Sequence, residues 1–161
     1  MKAGAVVALD AALPRFADAQ QGAVLNDASG LNPTPVFRHW VVQPNEQADF
    51  IARLRQELKE ATAGRRPVCV GAARHSMGGQ SLPRDGLAVT VNSVRCEADR
   101  SAKTYLVDAW TRWRQVISAL DRIGFSPAVM QSNHDFGVAA TFSVNAHGWP
   151  VPYGPFGSTV R

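Results

Sequence analysis

Long apolar runs are missing from this chain. No stretch approaches the roughly 20 residues that cross a bilayer as a helix, so no membrane-spanning helix is expected. Cysteine is scarce: Cys69 and Cys96 stand alone in strand-like contexts, fit neither a zinc nor a redox spacing, and read as inert buried thiols. Basic residues outnumber acidic ones by 17 to 13, for a net charge of +4 and a pI near 9.6, yet they are mostly scattered arginines. No Lys/Arg cluster with interleaved aromatics occurs, which argues against nucleic acid; the charge suits an anionic cofactor equally well. Neither Gly-x-x-x-x-Gly-Lys-Ser/Thr nor Gly-x-Gly-x-x-Gly is present, so the simple P-loop and Rossmann readings lose their basis. Internal repeats and low-complexity tracts are absent as well.

What is present is a domain's worth of chain. At 161 residues, 45% apolar and 19% charged, it can bury a sizeable core. Residues 1–24 lack periodicity and read as a leader. Its start, Met1 to Leu9, faintly resembles a signal peptide but is interrupted by Asp10, so the cytoplasm is the expected location and export stays open. Residues 26–35 are turn chemistry throughout. Val41 to Gln43 reads as a strand ended by Pro44, and Asn45 is placed to cap the next helix. That helix has Phe50, Ile51, Leu54, Leu58 and Ala61 as its apolar stripe, Arg53, Glu57, Lys59 and Glu60 off it, and Gly64 as its stop. Strands follow at 67–70, 87–91 and 104–107. A second helix from about Thr111 carries Trp113, Val116, Ile117, Leu120 and Ile123 on one face, with Gly124 behind it. The order predicts an α+β or α/β layering, helices over a small sheet. His39 and Trp40 read as structural, Trp110 and Trp113 as packing residues, and Arg65 and Arg66 as a solvated helix end.

The chain is organised around residues 68–80. An apolar strand, Val68-Cys69-Val70, breaks into Gly71-Ala72-Ala73-Arg74-His75-Ser76 and then Met77-Gly78-Gly79-Gln80. Small residues let main-chain N–H groups approach a ligand, and successive N–H groups in a tight turn form an anion-binding concavity. A diphosphate is the natural guest, flanked by the His75 imidazole and the Gln80 amide. Residues 130–148 are dense in small and polar side chains, the composition of a ligand-contacting loop. Within them His134 and His147 lie too far apart, with no carboxylate-rich partner set, for a zinc site, and no metal is expected. Asp135 is a general-base candidate, with a solvated loop carboxylate as the plainer reading. Residues 149–161, rich in Pro and Gly, read as a chain cut mid-domain.

Three stretches, in order, resemble the PCMH-type FAD-binding domain of the vanillyl-alcohol-oxidase flavoproteins. They are residues 71–80 with the His75-Ser76-x-x-x-Gln80 spacing of the cytokinin-dehydrogenase-like and sugar-oxidase branches; the Trp113 helix leading to Gly124-Phe125-Ser126-Pro127; and Gly137-Val138-Ala139-Ala140-x-x-Ser143-x-Asn145-Ala146-His147-Gly148. The resemblance covers residues 25–161. It implies FAD as cofactor, with Gly71, Ala72, Ala73, Arg74, His75 and Ser76 lining the pyrophosphate. Gln80, Ser132, Gly137, Ala139, Ser143 and His147 would lie near the adenosine, pyrophosphate or flavin edge. A covalent bond from His75 to the flavin 8α-methyl carbon stays open; no cysteine between 131 and 148 offers a second one. Two departures stand out: Ala72-Ala73-Arg74 where relatives carry more glycine, and Ala139-Ala140 in place of Gly-Gly. Arg74 is a candidate phosphate partner.

The implied function is the FAD-binding module of a flavin-dependent oxidoreductase acting on an alcohol, sugar, lactone or amine, the small-molecule substrate of a longer parent. The 161-residue chain alone is expected to turn over no substrate. Two rivals belong to other classes: a non-catalytic truncated remnant, and a basic nucleotide- or nucleic-acid-binding module.

Overall fold

The computed structural model describes residues 19–43, 46, 48–92, 94–149 and 152–160. The leader reading for residues 1–18 and the Asn45 cap lie outside these. Residues 19–24, expected to end the leader, carry β1 (Ala19–Gln21) and the start of β2 (Val24–Leu25). The main sheet has the order β1-β4-β6-β5, with β4 at Arg38–Val42, β5 at Val68–Gly71 and β6 at Leu87–Val91. The last three run parallel and β1 is antiparallel to β4. Two antiparallel ribbons stand apart, β2 with β3 (Thr34–Pro35) and β7 (Cys96–Asp99) with β8 (Thr104–Val107). The mixed architecture is α+β, as expected.

Strand alternation divides the sheet's two faces. Trp40 and Val42 of β4, with Leu87, Val89 and Val91 of β6, point to one side and pack on Phe50 of α1 (Phe50–Ala63), with Leu54 and Trp110 at the margin. The Trp40 and Phe50 rings are tilted at 5.6 Å, and Phe50 meets Trp110 edge-on at 5.4 Å. The opposite face buries Ala88 against Ala23 and Val36. This second face carries the turn that follows β5.

The α1 stripe differs from the expected one. Ile51 and Leu58 are exposed, and Glu57 is buried with Phe50 and Ala61. A buried carboxylate needs a partner, and Arg38 on β4 gives Glu57 two hydrogen bonds of 2.9 and 2.8 Å. Electrostatic pairing across the helix–sheet seam therefore rotates the helix away from its most apolar face. Gly64 ends α1 without a positive φ; Arg65 takes the left-handed position at φ 51°. Arg66 N–H to Ala61 O and Arg65 N–H to Thr62 O then complete a Schellman closure.

The second half packs around α2 (Trp113–Asp121), which starts two residues later than expected. Trp113, Val116 and Leu120 join Val129, Val138 and Phe156 in its core, and the β7–β8 ribbon lends Cys96, Tyr105 and Val107. Trp113 donates Nε1–H to Thr141 Oγ1 at 2.7 Å, so its buried indole is satisfied. Residues 138–143, read as loop, form the short helix α3 (Val138–Ser143). Burial raises the Cys96 thiol pKa, in keeping with an inert cysteine.

Candidate cofactor site

The turn after β5 is built by a conformation its sequence disfavours. Arg74 sits at φ 50°, in the left-handed region that L-residues enter at a cost of about 1–2 kcal/mol. Its side chain offsets that cost. The guanidinium folds back under the turn and donates to Ser81 O at 2.6 Å, Val89 O at 3.1 Å and Thr90 Oγ1 at 3.1 Å. Gly71 leaves room for it, since a Cβ there would lie 3.1 Å from Arg74 Nη1. The expected Arg74–phosphate pair is therefore corrected: the guanidinium is committed to Ser81 O, Val89 O and Thr90 Oγ1 and faces inward. The shortage of glycine does not stop the chain from taking the positive φ; it transfers the task to an arginine.

The outer side of the turn presents donors. Among the described residues none accepts a hydrogen bond from the N–H of Ala72, Ala73, Arg74 or His75. A positive φ at Arg74 between negative-φ neighbours is the alternation that gathers successive N–H groups around one concavity. This is chemistry for an anion, and it fits a diphosphate.

Asp27 fixes the far end of the turn. Only 5% exposed, it accepts from Ser29 N and Oγ through Oδ1, and from Asn32 Nδ2, Ser76 Oγ and Gly79 N through Oδ2. Ser76 Oγ, having donated to Asp27, accepts from Ser81 Oγ at 2.8 Å. The Ser29 hydroxyl bond foremost, then the Gly79, Ser76 and Asn32 bonds, hold the Asp27 carboxyl far below its ordinary pKa of 3.8 against the opposing effect of burial. Ala28 N–H to Arg74 O, 3.0 Å, closes the junction. Sequence reasoning missed Asp27. Its Asn-Asp-x-Ser context signals a local turn, but nothing in it signals the long-range bonds to Ser76 and Gly79.

His75 faces the second motif. Its Nε2 lies 3.0 Å from Asp135 Oδ2, and its ring meets Phe136 edge-on at 4.6 Å. Asp135 keeps 40% of its side chain exposed, in line with the solvated-carboxylate reading, but it is not a free base. Arg112 Nη1 and Arg114 Nε approach its Oδ1 at 2.7 and 3.1 Å. Partial burial would raise its pKa, but the His75 and Arg112 hydrogen bonds and both arginine charges hold it below the usual value. Gly137 also touches the turn: a Cβ on it would stand 3.0 Å from Ala72 Cβ.

The 131–137 loop is placed by an exchange of helix ends. Trp113 and Arg114 N–H groups at the start of α2 donate to Phe136 O and His134 O, while Val138 and Ala139 N–H groups at the start of α3 donate to Thr111 O and Ala109 O. Each helix thus satisfies orphan donors on the other's approach segment. Ala139 accordingly has no N–H left for a cofactor. Ala139 is half-buried and Ala140 exposed, so the extra methyl groups are accommodated.

The structure therefore joins 71–76 with Gly137, and adds Asp27, Asp135 and Phe136. Gln80, Ser132, Ser143 and His147 are exposed, and no hydrogen bond among the described residues ties them to the open N–H groups at 72–75. Gln80 accepts from Gly78 N–H, Ser143 bonds back to Ala139 O, and His147 Nδ1 lies near Gly148 O. His39, as expected, is structural, with Nε2 2.9 Å from Thr90 Oγ1. No group of three or more potential metal ligands occurs among the described residues. Nor is any helix among them long and apolar enough to cross a membrane.

Residues 39–161 match the FAD binding domain family. Cholesterol oxidase from Brevibacterium sterolicum superposes with a TM-score of 0.58 at 14% identity, covering 84% of this chain and 26% of that one. A histidine-to-alanine mutant of the same enzyme gives 0.56 with the same identity and coverage. The chain thus spans about a quarter of the solved structures it resembles. A search of curated proteins by sequence finds no match. With three quarters of its length inside the family match, the chain belongs to the FAD-binding domain family, in its PCMH-type form.

Proposed function

We propose that this domain holds FAD in a flavin-dependent oxidoreductase that removes a hydride from an alcohol, sugar, lactone or amine. The observation that carries the reading is the run of open N–H groups at Ala72, Ala73, Arg74 and His75. They meet a diphosphate as oriented dipoles, and the Arg74 and Asp27 anchors keep them oriented before it arrives. Bound FAD supplies the hydride acceptor. The chain's residues bind and orient it: the turn grips the diphosphate, and Gly137 admits close approach beside Ala72. Exposed Gln80, Ser132, Ser143 and His147 are proposed to meet the outer edges. His75 is proposed to hold the flavin covalently through its 8α-methyl carbon.

An absorbance spectrum of the purified chain, saturated with FAD and then acid-precipitated, tests both levels. Flavin bands that stay with the pellet and vanish in His75→Ala support the covalent reading. Bands released to the supernatant retain FAD binding and remove the bond. No flavin uptake by a chain that unfolds cooperatively would overturn the proposal.

A further inference from the structure

We infer that Asp135, clamped by Arg112 and Arg114, is a positioning residue that fixes the tautomer of His75. The argument rests on which oxygen faces which donor. Asp135 Oδ1 accepts a hydrogen bond from Arg112 Nη1 at 2.7 Å and has the Arg114 guanidinium charge beside it at 3.1 Å, while Oδ2 faces His75 Nε2 at 3.0 Å. Guanidinium groups only donate, and an ionised carboxylate only accepts. The proton of the neutral imidazole must therefore reside on Nε2, and the lone pair is left on Nδ1. Phe136, edge-on to the ring at 4.6 Å, restricts its rotation, so the two nitrogens do not exchange places. No described residue bonds to Nδ1.

This assigns Nδ1 as the nucleophilic atom, a consequence that rests on the covalent reading given above. In that step a C–N bond replaces one C–H bond of the 8α-methyl group. The proton leaves to solvent, and two electrons pass to the flavin and from it to dioxygen. The alkylated ring keeps its Nε2 proton and carries a positive charge, which the Asp135 carboxylate faces directly. Asp135 thus serves the ring both before and after the bond forms.

The Asp135→Asn variant gives a sharp test, because the two arginines dictate how the amide sits. Its carbonyl oxygen must face Arg112 and Arg114, which turns the NH₂ toward His75 Nε2. That nitrogen becomes an acceptor, and the proton moves to Nδ1. Long-range ¹H–¹⁵N NMR of the neutral imidazole, recorded on the full chain without flavin, should show the Nε2–H tautomer in the wild type. It should reverse to Nδ1–H in Asp135→Asn and return in Asp135→Glu. With FAD added, covalent incorporation should fall roughly ten-thousandfold in Asp135→Asn, the scale on which a wrong histidine tautomer disables a reaction. A reversal without covalent flavin in any variant would uphold the positioning role and refute the covalent reading. An unchanged tautomer in Asp135→Asn, in a chain whose spectrum is otherwise that of the folded wild type, would overturn the inference.

Discussion

Replacing Arg74 separates the two features that hold the cofactor turn: a strained backbone and a buried side chain. Its guanidinium donates to Ser81 O, Val89 O and Thr90 Oγ1. Each hydrogen bond from a charged donor is worth about 1.5–3 kcal/mol, and desolvating the guanidinium offsets part of the sum. Burial accordingly lowers the Arg74 pKa, with Cys69 acting in the opposite sense. Arg74→Ala should cost about 3–5 kcal/mol, since it removes all three bonds and keeps a Cβ at φ 50°. Arg74→Gly removes the same bonds and relieves the strain. Against glycine's greater unfolded-state entropy, it should be about 0.5–1 kcal/mol more stable than the alanine variant. Urea unfolding followed by tryptophan fluorescence measures both. An alanine variant as stable as the glycine variant would refute the strain argument. One within about 0.5 kcal/mol of wild type would refute the anchoring role as well.

The remaining predictions concern the contacts around that turn. Because the folded Asp27 pKa is depressed, its contribution to stability is complete above the unfolded value, 3.8, and is lost as pH falls below it. Asp27→Asn should flatten the acid limb of the stability–pH curve between about pH 4 and 2, and an unchanged limb would contradict the network. Gly137→Ala sets its Cβ 3.0 Å from that of Ala72, and overpacking of this kind costs about 1–3 kcal/mol. Adding Ala72→Gly should restore most of the loss; additive losses would show that the two positions do not meet. Glu57→Ala removes both short bonds of Arg38 and leaves it only the longer Glu60 contact at 3.8 Å, so it should lower stability by about 1.5–3 kcal/mol, measurable by thermal unfolding, whereas Ile51→Ala on the exposed side should change it little.

Regular elements with a clear period were legible in the sequence. Trp113, Val116 and Leu120 repeat at helical spacing and line the α2 core, and the 87–91 strand appears at its expected place. The α1 face departs from its hydrophobic stripe at the Arg38–Glu57 pair, a long-range contact that composition does not disclose. The ribbon strand at Cys96–Asp99 has charged, exposed residues and no alternation to mark it. The short α3 was hidden by small residues and has only six positions in which to show a period. At the site, the small-residue turn and His75 stood out by residue type. The partners that orient them, Asp27 and Asp135, come from segments 48 and 60 residues from His75, where only folding brings them together.

Equilibrium binding of FAD and riboflavin to the full chain, with ADP as competitor, tests the central claim most directly. If the open N–H groups at Ala72 to His75 grip the diphosphate, FAD should bind at least about a hundredfold more tightly than riboflavin, and ADP should displace it before any covalent bond forms. Equal affinity for FAD and riboflavin, or indifference to ADP, would contradict the account and place the recognition of the cofactor elsewhere.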